Sequence, residues 1–106
     1  MIMENNRLRH VVLFRYAAHV TAEDQERVTR AFAALRDQIP DIVDFEWGVN
    51  NSPEGLHQGF THCYMLTFDS EAARDAYLPH PAHKAFGEIL NGLLDGVFVA
   101  DWWTHP

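Results

Sequence analysis

Leu8-Arg9-His10-Val11-Val12-Leu13-Phe14-Arg15-Tyr16 is apolar on both of its strand faces. A period of two puts His10, Val12, Phe14 and Tyr16 on one side and Arg9, Val11, Leu13 and Arg15 on the other. A second segment, Phe60 to Phe68, repeats the pattern: Phe60, His62, Tyr64, Leu66 and Phe68 oppose Thr61, Cys63, Met65 and Thr67. A strand covered by helices on one side needs only one apolar face. Two such strands therefore predict a sheet whose other face meets something apolar as well.

The remaining elements surround these strands. Thr21 is a suitable N-cap, and Asp24 three residues on places an acid near the helix start. Val28, Ala31, Phe32, Leu35 and Ile39 follow a 3.6-residue period, predicting a helix over Ala22 to Gln38 that Pro40 stops. Ile42 to Val49 alternates, with Val43, Phe45, Trp47 and Val49 on one face. Ser70 begins a short helix reaching Tyr77, a second helix runs from Pro81 to Leu94, and Val97 to Trp103 is the last strand. The order β-α-β-β-α-β, with its second helical region broken, is the ferredoxin-like α+β pattern: a four-stranded antiparallel sheet with the helices on one face. With both helices on one side, Val11, Leu13, Cys63 and Met65 remain uncovered. The expected solution is a two-fold homodimer through the open sheet face.

The length of 106 residues fits one domain, expected at 8–106 behind an N-terminal extension at 1–7. No segment approaches the length of a membrane span, and the first residues carry no apolar leader. The expected setting is cytoplasmic. A formal charge of −7, with no Lys/Arg cluster, disfavours nucleic acid as a partner. The single Cys63 forms no internal disulfide, and there is no metal-binding spacing, phosphate loop or nucleophile turn, so no metal and no cofactor is expected.

The segment Tyr77-Leu78-Pro79-His80-Pro81-Ala82-His83 gathers titratable groups at a helix start. Two readings stand side by side. His83, near the third helical position, faces the positive end of the helix dipole, which favours the neutral imidazole that can accept a proton. Tyr77 can donate to a developing oxyanion. Alternatively the segment closes a turn, with His80 capping the helix. His10 and His62 each lie on an apolar strand face and must find a partner or line a cavity. If their strands pair antiparallel, they stand towards opposite ends of the ladder. Trp47, Trp102 and Trp103 read as core or interface aromatics.

Arg9-His10-Val11-Val12-Leu13-Phe14, Phe45-Glu46-Trp47-Gly48, Ser52-Pro53-Glu54-Gly55, Gln58-Gly59-Phe60-Thr61-His62 and the Tyr77–His83 segment together resemble the stress-responsive A/B barrel domain family. The resemblance runs from Leu8 to Trp103. It implies a dimeric α+β barrel with ferredoxin-like subunits. A plant polyketide cyclase of that family closes a linear poly-β-keto thioester by an aldol step. Its reactive pair falls on Tyr77 and His83, and its supporting histidines on His10 and His62. Where it has a cavity-lining tyrosine this chain has Phe32, so the pocket differs. Folds of this kind host many activities. The primary expectation is a pocket for a small hydrophobic or carbonyl-containing molecule, with Tyr77 and His83 as reactive groups. His10, His62, Phe32 and His80 would contact the ligand. The alternatives are a cofactor-independent cyclase or lyase with His83 as general base and, on shared architecture alone, a cofactor-independent monooxygenase.

Overall fold

The computed structural model describes residues 6–106. Of the expected N-terminal extension, residues 1–5 lie outside the described residues. Arg7 is tied to the far end of the chain: its N–H donates to Thr104 Oγ1, and the Thr104 N–H donates back to the Arg7 carbonyl.

Seven elements follow in order: β1 (Leu8–Tyr16), α1 (Ala22–Gln38), β2 (Asp44–Val49), β3 (His62–Phe68), α2 (Glu71–Tyr77), α3 (Pro81–Ile89) and β4 (Leu94–Trp103). The strands form one antiparallel sheet in the order β2-β3-β1-β4. This is the ferredoxin-like arrangement, with the second helical region divided into α2 and α3.

Local chemistry explains most boundaries. Thr21 and Asp24 form a reciprocal capping box: the Asp24 N–H donates to Thr21 Oγ1, and the Thr21 N–H donates to Asp24 Oδ2. Ser70 caps α2 by accepting from the Ala73 N–H. The predicted run of α3 to Leu94 is too long by five residues. Gly92, at φ +79°, turns the chain out of the helix, and Leu94 already pairs with Tyr16 in the sheet. β4 accordingly begins three residues earlier than its apolar pattern predicts. β2 and β3 each begin two residues later than predicted. The loop between them holds a left-handed backbone at Gln58 and Gly59.

The core lies between the helices and one sheet face. Leu8, Val12 and Phe14 of β1 and Tyr64, Leu66 and Phe68 of β3 pack with Val28, Phe32 and Leu35 of α1, Tyr77 of α2 and Phe86 of α3. The open face carries Val11, Leu13, Cys63 and Met65, all half-buried, with Phe98 and Trp102 of β4 about half exposed. Trp47 lies outside the core. It stands opposite Tyr64 on the helix side of the sheet, yet it is 50% exposed. β2 is an edge strand, so one flank of the indole has no neighbouring strand.

Candidate active site

β1, α2, α3 and β4 bring a cluster of polar rings to one end of the core. His10 is 5% exposed, on the face of β1 that meets the helices. β1–β4 register puts Asp101 directly opposite it, and Asp101 Oδ1 lies 2.8 Å from His10 Nδ1. Arg74 Nη1 of α2 donates to the other oxygen, Asp101 Oδ2, at 2.9 Å. A carboxylate facing Nδ1 selects the Nδ1–H tautomer of a neutral ring and fixes the ring plane. His10 meets the Tyr77 ring edge-on, with centroids 5.8 Å apart, and the Tyr77 ring meets His83 edge-on at 4.6 Å.

The break between α2 and α3 sets this geometry. Tyr77 is the last residue of α2 and is 1% exposed. His80 is the N-cap of α3, its Nδ1 accepting from the Ala82 N–H at 3.0 Å, and Pro81 opens the helix. His83 is thereby the third residue of α3, turned back towards Tyr77. Burial pushes the His83 imidazole below its ordinary value, a backbone hydrogen bond with Leu78 acts in the opposite direction, and the nearby His10 adds to the lowering. Burial pushes the Tyr77 phenol well above its ordinary value. At neutral pH His83 is therefore a neutral acceptor beside a fully protonated phenol.

His62 belongs to a different neighbourhood. It stands opposite Phe14, whereas His10 stands opposite Leu66. Four residues along the ladder separate them, about 13 Å at ~3.3 Å per residue. His62 Nδ1 lies 2.9 Å from Thr61 Oγ1, its ring meets Tyr16 edge-on at 5.2 Å, and burial lowers its pKa. Between the two ends lies a wall of aromatics. Phe32 is 2% exposed and sits 4.5 Å from Phe86 and 4.6 Å from Tyr64, with Phe14 stacked behind at 5.8 Å. Of the expected site residues, the fold therefore gathers His10, Tyr77 and His83. It puts His80 in the helix cap, Phe32 in the dividing wall and His62 beyond it.

Asp101 and Arg74 were not foreseen as part of this cluster. A signal existed for Asp101: alternation along β4 puts it on the same face as Val97, Val99 and Trp103, where a lone carboxylate needs a partner. Arg74 gives no such signal, because its partner depends on how α2 lies against β4. Among the described residues no group of three or more His, Cys, Asp or Glu side chains is arranged to hold a metal ion. No helix among them is long and apolar enough to cross a membrane.

The model of the stress responsive A/B barrel domain, Dabb, matches residues 8–104. The chain belongs to this family. Among Dabb relatives, the stress-response A/B barrel domain-containing protein HS1 of Arabidopsis thaliana is 39% identical over 95 residues, spanning 90% of this chain and 87% of that protein. Olivetolic acid cyclase of Cannabis sativa is 24% identical over 95 residues, spanning 90% and 94%. Among solved structures, a dimeric ferredoxin-like protein of unknown function from Thermobifida fusca superposes with a TM-score of 0.76 at 26% identity, over 96% of this chain and 94% of that one. Hydroxynitrile lyase from Passiflora edulis superposes with a TM-score of 0.87 at 23% identity, over 93% and 94%. At that identity the likeness concerns the Dabb fold alone.

Proposed function

We propose that this protein is a homodimer that binds a small carbonyl compound at Tyr77 and His83 and transfers a proton there without a cofactor. The observation that carries the reading is the contact of a buried tyrosine with two histidines, 4.6 Å from His83 and 5.8 Å from His10. The environment drives the two reactive groups apart in acidity: His83 is held neutral and Tyr77 is held protonated. A base and a hydrogen-bond donor set side by side suit enolate chemistry.

In this reading His83 removes a proton from the carbon alpha to a carbonyl, and the Tyr77 hydroxyl donates to the enolate oxygen. The carbanion carbon then attacks a second carbonyl of the same molecule. One carbon–carbon bond forms, and the His83 imidazolium returns its proton to the new alkoxide. His10, clamped by Asp101, buttresses the tyrosine ring. The relative named olivetolic acid cyclase supports ring closure as the reaction class. Phe32 argues for a different substrate from the one that enzyme is named for, because this position is filled by a core ring with no hydroxyl to offer.

The uncovered sheet face supports the dimer. Phe98 and Trp102 are large apolar side chains about half exposed beside half-buried Val11, Leu13 and Met65. Gel filtration is expected at twice the 12.2 kDa chain mass, with Phe98→Glu shifting it towards the monomer. A wild-type monomer would contradict the dimer.

The test of the reaction is turnover of linear poly-β-keto thioesters by the wild type, His83→Ala and Tyr77→Phe. Loss of the base is expected to lower the rate by roughly 10² to 10⁴. Cyclisation by His83→Ala at the wild-type rate, with its far-UV spectrum unchanged, would remove His83 from the mechanism.

A further inference from the structure

A separate cleft opens at the other end of the core, where the first half of α1 overhangs the β2–β3 edge. It measures about 390 Å³ and is lined by Trp47 and His62 from the sheet and by Gln25, Glu26, Thr29 and Arg30 from the helix. That volume lies within the range of small-molecule sites, ~300–1,000 Å³. None of the Tyr77–His83 cluster lines it.

Three features describe what it would hold. The first is flatness. The Trp47 and His62 rings lie within 4° of parallel, with centroids 6.5 Å apart, and Trp47 is half exposed although apolar. The two rings present parallel faces, and the half-exposed indole is the one that offers its face to a planar ring. The second is charge. Arg30 Nη1 and Glu26 Oε1 pair at 3.2 Å, one turn apart on α1, so the rim offers no net charge to an ionic ligand. The third is polarity. His62 has one ring nitrogen against Thr61 Oγ1, which leaves the other for a ligand. Beside it the buried Tyr16 hydroxyl faces that of Tyr64 without a well-formed hydrogen bond, while Tyr64 and Thr29 share one at 2.6 Å. Of these hydroxyls, that of Thr29 belongs to the cleft wall.

We infer that the cleft between α1 and Trp47 is a second ligand site, for an uncharged planar aromatic molecule carrying a hydroxyl group. Its ring lies along the Trp47 indole and its hydroxyl hydrogen-bonds to His62. This site is independent of the proposed reaction at Tyr77 and His83, so either can fail without the other.

The test is an NMR titration of the full ¹⁵N-labelled chain with β-naphthol. Saturable shifts are expected at the Trp47 indole N–H and at the amides of Gln25 and Thr29. Trp47→Ala removes the platform from an exposed position and is expected to weaken binding about tenfold, the equivalent of ~1.4 kcal/mol. Gln25→Phe, which adds bulk from the helix side, is expected to weaken it similarly. Tyr77→Phe is expected to leave the affinity within about twofold, and the corresponding naphthoate to bind several-fold more weakly. The proposal is overturned if β-naphthol gives no saturable shift. It is also overturned if the shifts centre on Tyr77 and His83, or if both Trp47→Ala and Gln25→Phe bind as tightly as the wild type.

Discussion

His10 and His62 are the same residue type on the same face of adjoining strands, and the fold uses them in opposite ways. His10 sits 2.8 Å from a carboxylate that is itself held by Arg74 at 2.9 Å. The hydrogen-bond partner that His62 has among the described residues is the hydroxyl of its chain neighbour Thr61. A charged clamp fixes the orientation of a ring, whereas a single neutral contact leaves it adaptable. The clamped histidine stands by Tyr77 and His83, the pair proposed to react, and the adaptable one lines an open cleft. One apolar strand face thus carries two polar ends, with the packed rings of Phe32, Tyr64 and Phe86 between them.

That division breaks most severely at Phe32. Phe32→Ala is expected to cost about 3–5 kcal/mol in urea unfolding, because the ring is fully packed and its removal opens a cavity joining the two ends. A loss under ~1 kcal/mol would mean that the wall is not close-packed. A paired comparison sharpens the contrast between the histidines. Asp101→Ala is expected to cost about 1.5–3 kcal/mol, the range for hydrogen bonds to charged groups, and Thr61→Ala about 0.5–1.5 kcal/mol. Equal losses would erase the distinction between clamp and contact.

Much of this organisation is legible in the sequence, and where it is not the cause is physical. β1 and α1 are readable to the residue, because strand alternation and a Thr21–Asp24 cap are local signals. The end of α3 misleads because Leu90 and Leu93 continue the helical period through a backbone turn set by Gly92. Tyr77 and His83 announce themselves as a cluster, since the short break between α2 and α3 keeps neighbours in sequence close in space. The separation of His10 from His62 follows from antiparallel pairing alone. Asp101 and Trp47 are different. The partner of one depends on the β1–β4 register, and the exposure of the other on β2 lying at the edge of the sheet. Neither is encoded within a few residues.

The smallest effect concerns pH. Burial lowers the pKa of both His62 and His83 from 6.5. Below about 6.5 the unfolded chain binds protons that the native state refuses, so the stability these rings contribute is complete above that pH and declines beneath it. Thermal unfolding is accordingly expected at a lower temperature at about pH 5.5 than at about pH 7.5.

The most direct measurement is the NMR titration of the His83 ring in the wild-type protein, assigned by its loss in His83→Gln. A transition below 6.5, with the ring neutral throughout the neutral range, is the result expected of a general base beside Tyr77. A His83 that is already protonated at pH 7 has no lone pair to accept the substrate proton, and that result would contradict the proposed reaction.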